Sequence, residues 1–379
     1  WTALLHYRML QRIHIEEIQR WGFKSKKHIL QLPDSALKDL GWWIAPELVQ
    51  FNQQAIQLPP FDLSIRTDAS LTGWGATCNN QSTGGHWGPL EAKQHINALE
   101  LKAAYLALQS FLSQIYPLPR HILLEMDNTT AVAYLNKRGG THSTTLSDQA
   151  QQIWEYVLNK GSWITARHIP GVLNVEADLA SRQFNPHTEW MLDKTIFKKI
   201  TVCFFVPEID LFASRLNHQV PLYMSRDPDP GSMAVDAFRQ SWGRWKSFIH
   251  PPVVLLSRII QKVRQDKATT LLVAPNWPGQ PWYPELCQML IDHPLQLPIR
   301  ESLLTLPFRP GMTHPLWPSL HLTVWPISGS AIEQQAFHRK LSRFSSHRGP
   351  QPPRKGTVPP GILGPSGVPV MDCVQFQHL

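Results

Sequence analysis

The chain has 379 residues, of which 42% are hydrophobic and 17% are charged, and its formal net charge is +8. This composition is compatible with two or three globular domains rather than a fibrous or wholly disordered chain. No apolar run reaches the roughly 18 residues that a membrane-spanning helix needs. The four cysteines are far apart and form no CxxC pair, so neither a zinc site nor a disulfide framework is predicted.

The charge is unevenly distributed along the chain. Residues 1–59 carry 7 basic and 5 acidic side chains, residues 60–185 carry 9 and 10, and residues 186–379 carry 20 and 13. A basic excess on both sides of a nearly neutral segment suits a polyanionic partner. Charge alone is equally compatible with a protein that happens to be basic.

Composition and periodicity divide the chain into four sections. Residues 1–58 are predicted to be helical, with a second short helix around Asp34–Trp43. Residues 60–185 alternate strand and helix signals, and residues 190–310 are rich in Pro and Trp with short strand-like runs such as TTLLVAP, which predicts a second α/β domain. From about Ile327 to residue 379 the chain becomes basic and then rich in Pro and Gly, which predicts a disordered tail or a linker.

The second section is predicted to fold as an α/β domain with a mixed sheet and flanking helices. The expected order is β-β-β-α-β-α-α-β-α. The segments are LSIRTDAS (63–70), GWGATC (73–78), GGHWG (84–88), INALELKAAYLALQSFL (96–112), HILLEMD (121–127), TTAVAYLNKRGG, SDQAQQIWEYVLNKG, SWITARHIPG and NVEADLASR, the last with Asn174 as its N-cap.

Two carboxylates lie at predicted strand ends. Asp68 ends the first strand and Asp127 ends the central apolar strand. Ligands collect at strand ends along one edge of an α/β sheet. Asp68 is also compatible with a simple turn residue, and Asp127 with a helix N-cap.

Two further carboxylates lie on predicted apolar helix faces, Glu100 on the long helix and Asp178 on the last helix. Their companions on these faces are Ala104, Ala107 and Phe111 for Glu100, and Val175 and Leu179 for Asp178. A carboxylate facing a core is costly unless it is paired or binds a metal. A buried salt bridge for Glu100, and a capping or surface role for Asp178, are the simpler alternatives.

Taken together, the four carboxylates predict a metal site. An oxygen-rich ligand set without cysteine favours Mg²⁺ or Mn²⁺. Two such ions can be held by four carboxylates, and two ions about 3.5–4 Å apart stabilise both oxygens of a phosphoryl displacement.

The residues in this section also resemble a known family. TDAS (67–70) with GWGA (73–76), ALELKAA (98–104), MDNTTAVAYLNKRGG (126–140) and RHIPGVLNVEADLASR (167–182) are similar to the ribonuclease H domain of reverse-transcribing elements, above all the DIRS-type retrotransposons. The resemblance covers about a third of the chain. It implies an endonuclease that cleaves the RNA strand of an RNA–DNA hybrid with two divalent ions.

The resemblance also implies roles for single residues. Asp68 would contact both ions, Asp178 would complete the site of the ion that activates water, and Glu100 with Asp127 would hold the second ion. Glu100 would in addition sense the 2′-hydroxyl of the RNA strand. His168 would move a proton or help product release, and a loop histidine bonded to the backbone is its alternative.

Three further residues are expected to contact the hybrid backbone: Asn128, Lys137 and Arg138. The separate basic helix that some members of this family use to grip substrate is not evident in the sequence. Substrate grip is therefore expected to involve neighbouring domains.

The flanking sections extend the resemblance. Residues 1–58 resemble the end of a DIRS-type reverse transcriptase, and the chain contains no DD dipeptide, so we do not expect it to synthesise DNA. The initial Trp1 and the resemblance predict a fragment of a polyprotein whose upstream polymerase domain is a partner, with DNA as a further partner. Without a signal-peptide pattern, we expect an intracellular location, in the cytoplasm or nucleus.

Residues 207–284 resemble the segment that follows ribonuclease H in DIRS-type elements and, distantly, phage-type adenine-N6 DNA methyltransferases. Where those enzymes have an Asn/Asp-Pro-Pro-Tyr motif that holds a flipped base, this chain has His250–Pro251–Pro252–Val253. Two alternatives to the nuclease therefore remain. The first is that the ribonuclease H-like domain is a catalytically inactive nucleic-acid-binding module. The second is that residues 190–310 use S-adenosylmethionine for methyl transfer. Because the amide acceptor and the aromatic platform of the motif are both absent, a structural or DNA-binding remnant is favoured over methyl transfer for residues 190–310.

Overall fold

The structure, a computed structural model, describes residues 2–21, 29, 31–45, 59–184, 189–341 and 376–378. The chain forms two compact units. Unit 1 comprises residues 1–184 with 228–231, and unit 2 comprises residues 185–227 with 232–379. None of the described helices combines the length and the apolar character that crossing a bilayer requires.

Unit 1 contains a five-stranded mixed sheet with helices around it. The sheet order is β3-β2-β1-β4-β5. Strand β2 pairs antiparallel with both β1 and β3, and β4 pairs parallel with both β1 and β5. The strands are β1 (Leu63–Ala69), β2 (Gly73–Cys78), β3 (Gln81–His86), β4 (His121–Met126) and β5 (Trp163–His168), and the helices are α1 (Arg8–Trp21), α2 (Asp34–Trp43), α3 (Ile96–Leu112), α4 (Thr129–Asn136), α5 (Thr144–Asn159) and α6 (Val175–Arg182).

The core of unit 1 lies between the sheet and helices α3 to α5. Alternate residues of β1 and β4, such as Ile65, Ile122 and Leu124, are fully buried in it, as expected for strands with side chains of period two. Helix α3 packs against β1 and β2. The predicted α/β fold and the predicted order of elements from residue 63 to residue 182 are confirmed.

Helix α6 lies over β1, β2 and β3 but buries a different face from the one expected. Its buried residues are Ala177 and Ser181, whereas Val175 and Leu179 are 53% and 44% exposed. The prediction that these two form the core-facing stripe is wrong. The small residues face the sheet because α6 packs so closely on β2 that larger side chains do not fit.

Asn174 precedes α6 as predicted, but its side chain does not cap the helix. Its Nδ2 instead donates to the Thr67 carbonyl oxygen at 2.9 Å. Asn174 therefore ties the start of α6 to the strand that carries Asp68.

Unit 2 contains a six-stranded sheet of order β15-β12-β14-β11-β10-β7. Its strands and those of two small two-stranded sheets are β6 (Met191–Leu192), β7 (Ile209–Asp210), β8 (Met224–Ser225), β9 (Ala234–Val235), β10 (Lys246–Ile249), β11 (Thr269–Pro275), β12 (Leu295–Gln296), β13 (Leu304–Thr305), β14 (Leu322–Ser328) and β15 (Gln377–His378), and its helices are α7 (Lys194–Cys203), α8 (Leu256–Asp266), α9 (Tyr283–Gln288) and α10 (Ala331–His338).

The central strands of unit 2 are buried on both faces. Leu272 and Ala274 of β11 belong to one apolar cluster, and Leu271 and Val273 belong to another. This explains why the TTLLVAP run is continuously apolar rather than alternating.

The prediction of a tail from about Ile327 is wrong at its start. Strand β14 pairs with β11 from Thr269↔Ser328 to Pro275↔Leu322, and α10 follows it. The apolar segment HLTVWPIS can bury its side chains and so joins the sheet. The Pro/Gly-rich part, residues 342–375, lies outside the described residues, as do residues 46–58 of the predicted helical section.

We expect Gly75→Ala to destabilise unit 1 by about 1–3 kcal/mol. A Cβ at Gly75 would lie 2.3 Å from the Ala177 carbonyl oxygen and 2.4 Å from the Ser181 backbone nitrogen, so α6 would have to move away from β2. Urea unfolding measures the effect. Gly41→Ala is the control, because a Cβ at Gly41 meets nothing within 4 Å. Equal stability of the Gly75→Ala protein and the wild type would contradict the close packing of α6.

Candidate metal centre

Asp68 and Asp127 come together because their strands are neighbours. Strands β1 and β4 are parallel, with Arg66 paired to Glu125, and each aspartate lies two residues further along its own strand direction. Asp68 is buried and accepts a hydrogen bond from Ser181 Oγ to its Oδ2 at 2.7 Å. Both carboxylates therefore lie at the same edge of the sheet, as the sequence predicted.

Asp127 does not cap α4. The N-cap is Asn128, whose Oδ1 accepts from the Ala131 backbone N–H at 2.9 Å. The backbone of the loop after β5 approaches Asp127, since a Cβ at Gly171 would lie 3.2 Å from Asp127 Oδ2. The simple explanation of Asp127 as a capping residue is therefore wrong.

Glu100 faces the core on the predicted stripe of α3, where Ala104 and Ala107 are fully buried. Glu100 is 4% exposed, and its Oε2 is buried without a hydrogen-bond partner among the described residues. The salt-bridge alternative for Glu100 therefore finds no support. A buried oxygen in this position is an acceptor left open for a cation.

One carboxylate oxygen from each of Asp68, Glu100 and Asp127 lies within 4.8 Å of the other two. Burial, followed by repulsion from Asp68 and Asp127, raises the pKa of Glu100 to about 9, and a hydrogen bond from the Ala69 backbone opposes this rise. Burial is also the main cause that raises the pKa of Asp68, against the hydrogen bond from Ser181. The group is therefore a concentrated, poorly solvated set of carboxyl groups in which Glu100 favours its protonated form, and a divalent cation would favour the charged form instead.

Asp178 is near this group but is not one of the three. Its charge contributes to raising the pKa of Asp68. Its Oδ1 is paired with Arg182 Nε at 2.7 Å, one helical turn away. The structure thus brings three of the four predicted carboxylates together and pairs the fourth with an arginine that the sequence analysis did not single out.

His168 ends β5, and in the parallel register it is paired with Met126, the residue before Asp127. Its side chain is exposed, and no hydrogen bond joins its ring to a described residue. The alternative of a histidine bonded to the backbone is therefore not supported. His168 is positioned at the same sheet edge as the carboxylates.

The three residues expected to contact a hybrid backbone lie in different environments. Lys137 is exposed at the end of α4. Asn128 uses Nδ2 to donate to Asn97 Oδ1 at 2.9 Å while it caps α4. Both stay predictions as substrate contacts.

Arg138 is 7% exposed, and its guanidinium carbon lies 4.9 Å and 5.1 Å from the ring centroids of Trp154 and Trp163. Burial lowers its pKa. This placement gives Arg138 a packing role and argues against the expected contact with substrate.

The sequence analysis missed the residues that shape the site without carrying its charge. Ser181 fixes Asp68, Asn97 fixes Asn128, and Gly75 and Gly171 allow close approach of the backbone. Ser181 had a signal, because it lies three residues after Asp178 and so on nearly the same helix face. The glycines had none without knowledge of which strands and loops meet.

No family model matches the chain. A polyprotein P3 of Commelina yellow mottle virus is 26% identical over 208 residues, which are 49% of this chain and 10% of that polyprotein. The chain therefore spans about a tenth of this relative.

Among solved structures, a ribonuclease H1 of Halobacterium salinarum NRC-1 is similar with 19% identity and a TM-score of 0.26, over 31% of this chain and 92% of its own. LC11 ribonuclease H1 in complex with an RNA/DNA hybrid gives 19% identity and a TM-score of 0.26, with 31% and 91% covered. A foamy viral protease–reverse transcriptase in complex with an RNA/DNA hybrid gives 12% identity and a TM-score of 0.23, with 44% and 28% covered.

In metal-free protein, we expect Glu100→Gln to raise stability by on the order of 2 kcal/mol at pH 8. The folded chain binds the Glu100 proton more tightly than the unfolded chain, because the pKa rises from 4.5 to about 9 on folding. Wild-type stability should therefore fall as the pH rises between these two values, and the variant should lack this decline.

Urea unfolding in EDTA from pH 5 to pH 9 measures this difference, with Glu176→Gln, an exposed site on α6, as the control. Added Mg²⁺ should stabilise the wild type and not Glu100→Gln. If the free energy of unfolding of the wild type and of Glu100→Gln depended on pH in the same way in EDTA, the raised pKa of Glu100 would be contradicted.

Proposed function

We propose that unit 1 is a metal-dependent nuclease that cleaves the RNA strand of RNA–DNA hybrids. The observation that carries the proposal is the convergence of Asp68, Glu100 and Asp127, from three different elements, within 4.8 Å. Placing two buried carboxylates and one half-buried carboxylate side by side is unfavourable in a metal-free protein. A function that uses cations explains the arrangement better than a structural role.

The donor set fits Mg²⁺ or Mn²⁺. All three groups offer carboxylate oxygens, which hard cations prefer, and the open Oε2 of Glu100 supplies an acceptor without a competing donor. We propose that Asp68, Glu100 and Asp127 hold the metal and that Asp178 joins them to allow a second ion. Two bound divalent ions would supply charge stabilisation for the attacking and leaving oxygens of phosphodiester hydrolysis.

The chain's own residues would orient a carboxylate, exchange a proton and recognise the RNA strand. Ser181 orients Asp68 through its hydrogen bond, so that one carboxylate oxygen stays directed into the group. His168, exposed at the neighbouring strand end, would exchange a proton with the reacting water or the departing oxygen. Glu100 would lie close to the RNA 2′-hydroxyl and so favour RNA over DNA.

The pairing of Asp178 with Arg182 favours a second candidate function. If this ion pair persists when metal is present, the site holds fewer ions, and unit 1 is a nucleic-acid-binding module without catalysis. Because both side chains are about half exposed, the pair is weak and exchangeable. We therefore prefer the nuclease.

We further propose that the chain derives from a retroelement polyprotein with an upstream polymerase domain. The likeness of half of this chain to a viral polyprotein supports that origin at the coarse level. The DIRS-type assignment and the methyltransferase hypothesis for residues 190–310 stay predictions.

With Mg²⁺, the full chain should cut an end-labelled RNA strand annealed to DNA, and Asp127→Asn should lower the rate by about a hundredfold or more. The substitution removes one negative charge and one ligand while keeping the shape of the side chain. Gel analysis of the labelled strand measures the cleavage. Asp148→Asn, on the exposed face of α5, is the matched control. Cleavage of single-stranded RNA only, or full activity of Asp127→Asn, would exclude the proposed site.

We expect His168→Ala to lower the cleavage rate by about a hundredfold and to leave Mg²⁺ affinity unchanged, because the histidine would act on protons rather than on the metal. Single-turnover cleavage measures the rate, and calorimetric titration measures the affinity. His142→Ala, another exposed histidine of unit 1, is the control. A loss of metal affinity in His168→Ala would assign the residue a structural role instead.

A further inference from the structure

Unit 2 carries a row of cations and aromatic rings that the proposed nuclease does not use. We define this cationic–aromatic row by Arg258 with Phe238, Lys262 with Trp242, and Arg244 with Trp245. The aromatic residues lie in the segment 238–245 before β10, and two of the cations lie on α8.

The first pair is the tightest. The guanidinium carbon of Arg258 lies 3.7 Å from the centroid of the Phe238 ring, a distance at which the cation rests directly on the ring face. Phe238 is partly exposed and Arg258 is exposed. The outer side of the guanidinium group therefore faces solvent.

The middle of the row joins the segment to α8. Trp242 is fully buried, its ring centroid is 5.8 Å from that of Phe238, and Lys262 lies 5.9 Å from it. Asp266 Oδ2 accepts from the Trp242 backbone N–H at 2.8 Å and pairs with Lys262 at 3.0 Å. The contacts of Asp266 hold Trp242 and Lys262 in place, and the pairs at either end of the row lie beside them.

The other end of the row is Arg244 on Trp245. The guanidinium carbon lies 4.0 Å from the ring centroid, and Arg244 is exposed. Trp245 donates its backbone N–H to the Trp242 carbonyl oxygen at 3.2 Å. Along α8, residues 258, 262 and 266 are one turn apart, so this face of the helix is about 12 Å long.

Within the described part of the chain, the two outer guanidinium groups have no acidic partner. Neither Arg244 nor Arg258 makes an ion pair or a hydrogen bond with a described residue, whereas the neighbouring Arg264 pairs with Glu285. Each is held flat by a ring rather than by a carboxylate. Such groups offer both an open cationic edge and an open planar face.

We propose that the cationic–aromatic row of unit 2 binds single-stranded nucleic acid, with the Arg244 and Arg258 planes stacking on bases while their charges attract phosphates. Stacking on guanidinium and aromatic planes combined with backbone charge is how proteins bind single strands without strong sequence preference. A duplex keeps its base faces covered, so it can use only the charges. A protein partner rich in carboxylates would not need the flat support that the rings provide.

The proposal goes beyond hybrid cleavage and does not depend on the metal centre. Degrading the RNA strand of a hybrid leaves single-stranded DNA, which is a ligand of the right chemistry for such a row. The test is therefore made on the full chain in EDTA, where the metal site of unit 1 is not loaded.

Fluorescence anisotropy with labelled oligothymidylate measures the binding. We expect Arg244→Ala with Arg258→Ala to weaken it by about tenfold or more. The matched control, Arg264→Ala with Arg309→Ala, removes the same charge from exposed arginines of unit 2 outside the row. It should change binding less than about threefold, because these side chains would contribute only long-range attraction to the phosphates.

Two further probes separate stacking from general attraction. Arg244→Lys with Arg258→Lys keeps the charge and loses the plane, so it should restore less than half of the lost binding free energy. An abasic oligonucleotide of the same length keeps the phosphates and should bind more weakly than oligothymidylate, as should the corresponding duplex.

Equal losses in the row variant and the control variant, tight binding of the abasic strand, or no binding by the wild type would overturn the proposal. Thermal unfolding of each variant shows that it is folded. Oligothymidylate binding in EDTA and hybrid cleavage in Mg²⁺ are separate measurements, so a chain without nuclease activity still tests the row, and a chain without single-strand binding still tests the nuclease.

Discussion

The candidate metal centre of unit 1 depends on one unfavourable arrangement, the burial of the Glu100 carboxyl beside Asp68, which is also buried, and Asp127, which is half-buried. The cost falls mainly on Glu100, which is nearly inaccessible and whose pKa is raised to about 9 by burial first and by repulsion from Asp68 and Asp127 second. Neighbouring groups relieve it only in part, through the Ser181 hydroxyl on Asp68 and the Ala69 backbone on Glu100. A divalent cation at this position would offset the remaining cost, which is what the proposed metal site requires.

This constraint also explains how helix α6 packs on the sheet. Helix α6 must approach β1 closely enough for Ser181 to reach Asp68, and Gly75 and the buried Ala177 permit that approach. The side chains that usually drive helix packing, Val175 and Leu179, are left in solvent. Unit 1 therefore gives up apolar burial on α6 in order to position one carboxylate.

The order of elements and three site residues could be predicted from the sequence because they depend on local signals. Strand and helix periodicities locate β1, β4 and α3, and parallel pairing of β1 and β4 then brings Asp68 and Asp127 together. Glu100 stands out because it interrupts an apolar stripe. These inferences need only the geometry of single elements and one pairing.

The sequence-based predictions that the structure does not support have a different cause, since they concern contacts between side chains. Three features depend on which side chains meet in three dimensions: the face that α6 buries, the burial of Arg138 against Trp154 and Trp163, and the pairing of Asp178 with Arg182. An arginine after a helix looks like a substrate contact in sequence, and only the positions of two distant tryptophans make it a core residue. The predicted start of the tail was wrong for the same reason, because β14 is recognisable as a strand only beside β11.

The distribution of charge suggests why one chain would carry both units. The section with the carboxylates, residues 60–185, has 9 basic and 10 acidic side chains, whereas residues 186–379 have 20 and 13. A site that concentrates negative charge repels a nucleic-acid backbone until metal is bound. Under the two proposals made above, long-range attraction would come from outside the metal centre, and Arg244 and Arg258 of unit 2, which lie on aromatic rings, would supply attraction that does not compete for the metal.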